Sequence, residues 1–111
     1  MANKQKRFKL VPSSYLVLIK NNKILLLRRI NTGFQDGKYG LVAGHVEKNE
    51  GFTKAMIREA KEEANIVLNS KDLEVAHVLN RSEKKNKDVE IKERIDVFFI
   101  AKKWQGEIKN M

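Results

Sequence analysis

The segment Arg58-Glu59-Ala60-Lys61-Glu62-Glu63 concentrates carboxylates at a spacing that matters. Glu59, Glu62 and Glu63 share one face of a helix, because residues three and four apart are neighbours there. Crowded carboxylates raise each other's cost of ionising. They are stable together when solvated, paired with cations such as Lys54, Arg58 or Lys61, or bound to a metal ion. Donors that are all oxygen suit magnesium or manganese rather than zinc. A metal held there would neutralise negative charge brought beside it and acidify water.

A helix must present this face, and its apolar side is legible. Phe52, Ala55, Met56, Ala60 and Ala64 recur at helical spacing, with charges opposite, which predicts a helix from about Gly51 to Ala64. Asn49 is the expected N-cap, Glu50 sits where a helix dipole favours an acid, and Asn65 suits the left-handed residue that ends a helix. Upstream, Tyr15 to Lys20 and Ile24 to Arg29 read as an antiparallel hairpin, since Asn21-Asn22 tolerates the positive φ of a tight turn. Asn31 to Lys38 reads as a loop, Tyr39 to Ala43 as a short strand, and Gly44 to Glu50 as a second loop. Downstream, Leu73 to Leu79 and Glu93 to Trp104 read as strands, with a charged loop over Ser82 to Glu90.

Read together, Gly44, Glu50, Arg58-Glu59, Ala60, Glu62-Glu63 and Ile66 form a pattern that resembles the Nudix box. That box marks hydrolases acting on nucleoside diphosphates linked to another group. Two positions depart from it. Asn65 stands where the family has Gly, and Val42-Ala43-Gly44 replaces the usual Pro-Gly-Gly. The similarity continues through Tyr15–Ile19, Ile24–Arg29, Gly37-Lys38-Tyr39, Arg94-Ile95-Asp96 and Trp104–Glu107, so it covers nearly the whole chain.

The resemblance implies an α/β (α+β) fold, a Nudix-like α/β/α sandwich with a mixed β-sheet. It implies one Nudix domain over 1–111, incomplete at the C-terminus, because the family continues into a further strand and helix. A truncated sheet implies weak or absent turnover in this form and a route to homodimers through the incomplete sheet. The resemblance also assigns roles. Gly44, through its carbonyl, and Glu59, Glu62 and Glu63 would ligate Mg2+ or Mn2+. Glu59 or a neighbour would help deprotonate water, and Arg58 would pair with Glu50 to hold the loop against the helix. Arg28, Arg29 and His45 would approach substrate phosphates. Glu90 and Glu93 are further metal-ligand candidates. Trp104 and Phe34 are either base-stacking or packing groups, and His77 reads as structural.

The implied activity is metal-dependent hydrolysis of a pyrophosphate linkage. Branches acting on ADP-ribose or dinucleoside polyphosphates tend to carry Pro or Tyr past the box, and this chain has neither there. That points to (deoxy)nucleoside triphosphates. The alternative is a weak or inactive Nudix-fold protein that binds nucleotides or RNA, or a fragment.

The remaining bounds come from composition. A chain of 111 residues with 41% hydrophobic content forms one domain and can bury roughly two-thirds of its unfolded surface. The net charge of +9 fits anionic partners, though no RNP-like or KH-like signature is present, and a lysine-rich surface explains it equally. With no cysteine there is no disulfide or thiolate metal site. No apolar run approaches the roughly 20 residues of a membrane span, and no signal-peptide pattern opens the chain, so a cytoplasmic location is expected.

Overall fold

A computed structural model describes residues 8–28, 36–84 and 91–110. Strand β1 (Val11–Lys20) is central to a mixed sheet. It turns back into β2 (Lys23–Leu25) with Leu18 opposite Leu25 and Lys20 opposite Lys23. Asn21 and Asn22 carry φ of 54° and 60°, the doubly positive turn that matches the twist of a two-residue hairpin. The second strand of that hairpin is shorter than its sequence implies. The run breaks at Leu26, and β3 (Leu27–Arg28) leaves to pair with β4 (Tyr39–Gly40) in a separate two-stranded sheet. Tyr39 to Ala43 is therefore two strands rather than one. Val42–His45 forms β5, which rejoins the main sheet along β1, with Gly44 opposite Ser14.

Helix α1 (Phe52–Ala64) follows, as its periodicity requires. Ala55, Met56, Ala60 and Ala64 are fully buried, and they pack with Leu16, Leu18, Val42, Val97 and Phe99 as the core. Three of those four helical side chains are alanines, so the helix axis can lie close to the sheet. Asn65 ends the helix at φ 60°, ψ 31°. There the Asn65 and Ile66 amides donate to the Lys61 and Ala60 carbonyls. Asn is the side chain that most readily replaces Gly in this conformation, so the departure at 65 leaves the turn intact.

The start of the helix corrects the sequence reading. Gly51, not Asn49, is the N-cap, and no side chain caps it. Asn49 instead takes φ 63° inside the preceding turn. Glu50 is drawn away from the helix dipole into contacts described below.

After a 3-10 turn at Ser70–Asp72, β6 (Leu73–Lys84) and β7 (Ile91–Ala101) pair antiparallel, with a register shift between Val75 and His77. Strand β6 thus runs past the expected end at Leu79 and takes in Ser82. Residues 85–90 of the expected charged loop lie outside the described residues. Strand β7 ends at Ala101 rather than Trp104. It pairs parallel with β1, Ser13 opposite Asp96 and Tyr15 opposite Phe98. The main sheet order is β2-β1-β7-β6, with β5 on β1. The α+β class and mixed sheet are borne out. The described residues hold one α-helix, and no helix among them is long and apolar enough to cross a membrane.

Trp104 is half-buried against the core, so the packing reading of that residue holds. Beside it, Val67 and Gln105 exchange backbone hydrogen bonds of 2.8 and 3.0 Å. This bridge fastens the segment after β7 to the exit of α1.

Candidate active site

Strand β5 lies against the side of α1 that carries the acids. Gly44 faces the helix because its partner Ser14 does, and the Ser14 hydroxyl donates to the Phe52 carbonyl at 2.9 Å. A Cβ at position 44 would overlap the Glu59 carboxyl group. Only glycine therefore lets Glu59 lie directly on the strand backbone. One residue earlier, the Ala43 amide donates to Glu63 Oε1 at 3.3 Å. Two of the three helical carboxylates are thus fixed against consecutive residues of β5.

Arg58 organises the rest. Its Nε donates to Glu50 Oε2 at 2.8 Å, and its Nη2 donates to Glu50 Oε1 at 3.0 Å. This is a two-pronged pairing whose geometry matches guanidinium to carboxylate. Nη2 also donates to the His45 carbonyl at 3.1 Å, and Nη1 donates to Glu59 and, at 3.3 Å, to Glu62. Glu47 stands 3.4 Å from Nε. The guanidinium beside Glu50 holds its carboxyl down to about 2, helped by the Glu47 amide that donates to Glu50 Oε1 at 2.9 Å. Partnership with Glu50, against the cost of burial, pushes Arg58 further up from its already high range. The loop 45–50 is therefore latched to α1 by one arginine, as the Arg58–Glu50 pairing predicts.

The three acids are not equivalent. The Glu59 side chain is 13% exposed and Glu62 57%. Glu59 is a positioned group, whereas Glu62 faces solvent and meets the outer edge of the Arg58 guanidinium. Among the described residues no three acidic or histidine side chains stand ready-made around one metal position. Arg58 takes part of the space between Glu59 and Glu62. The donor set nevertheless suits a hard dication. It consists only of oxygens, Glu59 fills the cradle left by the missing Cβ of Gly44, and Glu63 is tethered to the neighbouring amide.

The other candidates separate. His45 reaches the latch through its carbonyl, while its side chain is exposed on β5. Arg28 is exposed on β3 opposite Tyr39, with its guanidinium over Gly37, and no described contact joins it to the acids. Arg29, Phe34 and Glu90 lie outside the described residues. Glu93 lies on β7, which pairs with β1 and β6 rather than with α1 or β5. His77 is exposed on β6 with its ring 6.1 Å from that of Phe98. Sequence reasoning missed Glu47 and the Ala43 amide. Glu47 precedes the latch by three residues, a spacing that could have flagged it. A backbone amide leaves no trace in sequence.

The NUDIX domain profile matches residues 10–110. Over 57 residues the chain is 40% identical to an ADP-ribose pyrophosphatase of Methanocaldococcus jannaschii, a match covering 51% of this chain and 33% of that protein. The chain thus spans about a third of the length of that curated relative. Among solved structures, a MutT NUDIX hydrolase from Burkholderia pseudomallei superposes with a TM-score of 0.76 at 21% identity, covering 93% of this chain and 74% of its own. A MutT/nudix family protein from Enterococcus faecalis gives 0.78 at 21% identity, with 97% and 42% covered. At that identity the superpositions establish the fold, while the profile spans almost the entire chain: this protein belongs to the NUDIX domain family.

Proposed function

We propose that this protein hydrolyses a pyrophosphate linkage in nucleoside diphosphate derivatives, with (deoxy)nucleoside triphosphates as the first substrate class. The observation that carries this reading is the seating of Glu59 and Glu63 against Gly44 and Ala43, with Arg58 latching the intervening loop. A pyrophosphate resists water because its anionic oxygens repel nucleophiles. A bound Mg2+ or Mn2+ would supply charge neutralisation and a more acidic water, held by the Gly44 carbonyl and by Glu59, Glu62 and Glu63. The chain's own contribution is positioning. We assign to Glu59 the orienting of the attacking water and the acceptance of its proton, a role its near burial against the strand supports. Glu62, exposed on the next turn, completes the acidic face when substrate arrives. Arg58 keeps the loop backbone from drifting and is not itself a substrate ligand. His45, Arg28 and Arg29 are the groups proposed to meet phosphate oxygens.

The M. jannaschii match favours a second reading within the same chemistry, with ADP-ribose as substrate. One assay resolves them. The protein is incubated with nucleoside triphosphates, ADP-ribose and a dinucleoside polyphosphate in Mg2+, then again with Glu62→Gln or Glu63→Gln. Release of nucleoside monophosphate that needs metal and vanishes in the variants is the expected result. No release from any substrate contradicts the proposal and leaves the inactive, nucleotide-binding alternative.

A further inference from the structure

The residues that would meet substrate stand on two pieces of the molecule that share no strand pairing. Glu59, Glu62 and Glu63 ride on α1, which packs on the main sheet. Arg28 rides on β3, whose register with β4 is just Leu27 opposite Gly40 and Arg28 opposite Tyr39. These strands form a sheet of their own, and a ladder that short has little stability by itself. Leu27 leans on the core, while Arg28 is exposed with its guanidinium beside Gly37. A long side chain amplifies any rotation of the strand that carries it. The geometry between Arg28 and the acids therefore depends on what holds β3.

Residues 104–110 brace the two pieces. Trp104 and Ile108 pack against the core. Gly106 turns at φ 97° so close to the helix exit that a Cβ there would stand 3.0 Å from the Asn65 carbonyl oxygen. The Asn65 side chain donates to the Glu107 carbonyl at 3.4 Å, beside the Val67–Gln105 bridge. The Lys109 amide then donates to the Ala64 carbonyl at 2.9 Å, one of the carbonyls that a helix end leaves without an internal partner. The next residue, Asn110, donates from Nδ2 to the Arg28 carbonyl. Consecutive residues thus join the last residue of α1 to the strand that carries Arg28.

We propose that Asn110 is a positioning residue. By holding the Arg28 carbonyl, it sets where the Arg28 guanidinium meets a substrate phosphate relative to the acids of α1. This rests on the phosphate contact assigned to Arg28 in the hydrolase reading. An asparagine suits the task, because its amide donates over a short reach and adds no charge beside the phosphate. A guanidinium grips phosphate oxygens through paired, directional hydrogen bonds, so its aim matters as much as its charge. Asn110 is not itself a ligand of phosphate or metal and acts through β3.

The test is a double-mutant cycle of wild type, Asn110→Ala, Arg28→Ala and the double variant. It is read in steady-state hydrolysis of the nucleoside triphosphate or ADP-ribose that the protein turns over. Asn110→Ala is expected to raise KM about fivefold with kcat within about twofold, a loss of substrate binding rather than of chemistry. In the Arg28→Ala background the same change is expected to add less than about twofold. A KM rise as large in that background, or no rise in either, overturns the proposal. Absence of turnover in wild type would sink the hydrolase reading instead. The cycle is then read as affinity for inorganic tripolyphosphate with Mg2+ by titration calorimetry. A non-additive loss there sustains the brace, whereas an additive loss, no loss or no binding refutes it. If Asn110→Ala lowers the melting temperature, hydrogen exchange decides. Faster exchange confined to β3 and β4 sustains the brace, and exchange raised equally along β1 refutes it.

Discussion

Two arginine–carboxylate clusters lie on opposite sides of one sheet and differ in how far their carboxylates are buried. On the helix side a single guanidinium, Arg58, serves Glu47, Glu50, Glu59 and Glu62. On the outward side a single carboxylate, Asp96, serves Arg81 and Arg94. The first is left with negative charge to place and so suits a cation and the phosphates it brings. The second buries its carboxylate, 1% exposed, beneath the guanidinium of Arg81 and ties β1, β6 and β7 together. A bidentate pairing as good as Arg58–Glu50 is therefore weak evidence of function by itself. What decides is whether carboxylates remain at the surface where a cation can reach them, as Glu62 does at 57% exposure and Asp96 does not at 1%.

Breaking the helix side should produce the largest effect. Glu59→Gln keeps the shape and removes the charge and the proton acceptor, so Mg2+-dependent hydrolysis is expected to drop by about 10³-fold in kcat with little change in melting temperature. Steady-state kinetics beside thermal unfolding separates the two. Gly44→Ala attacks the same acid through space. The added methyl would overlap the Glu59 carboxyl and force it off β5. Roughly a hundredfold loss of kcat is expected, since small misplacements of positioned groups cost about that much. Preserved activity there would show that Glu59 does not work from its seat on β5.

Asp96→Asn sharpens the other half of the comparison. The side chain is buried, and removing its charge leaves two arginines facing each other, so a destabilisation of about 2 kcal/mol by urea unfolding is expected. Hydrolysis by the fraction that remains folded should be unchanged.

The pH dependence of the latch is subtler. Glu50 titrates at about 2 when folded, below the ordinary carboxylate value of 4.5. A lowered folded value means the stabilisation is fully present above about 4.5 and is lost as pH falls toward about 2. Wild type should therefore lose stability across that window more steeply than Glu50→Gln, measured by urea unfolding at stepped pH. Parallel curves would show that the pairing adds nothing to the fold.

The smallest effect is at the helix exit. Asn65→Gly relieves a left-handed non-glycine residue and should raise stability by about 0.5 kcal/mol. Asn65→Ala should lower it by about 1 kcal/mol.

Much of the helix side was legible in sequence because its physics is local. The 52–64 periodicity, the Asn21-Asn22 turn and the Asn65 exit are each set within a few residues of chain, whereas the Arg58–Glu50 pairing, across eight residues, came from the family resemblance. The errors had tertiary causes. Asn49 has a good capping side chain, but Glu50 is claimed by Arg58 and the Glu47 amide, and that turn shifts the cap to Gly51. Tyr39 to Ala43 reads as one strand until two different sheets each take a part of it. The outward cluster was invisible because Ser13, Tyr15, Arg81, Arg94 and Asp96 meet only through the β1–β7 and β6–β7 registers. No spacing in sequence encodes that parallel pairing.

The account rests most heavily on the acidic face of α1 gripping a dication. Mn2+ titration at neutral pH, followed by loss of the free-ion electron paramagnetic resonance signal with and without a non-hydrolysable nucleotide, reads this directly. Saturable uptake that nucleotide strengthens and Glu59→Gln or Glu62→Gln removes is the predicted result. An undiminished free-ion signal in both conditions, in wild type as in the variants, would contradict it.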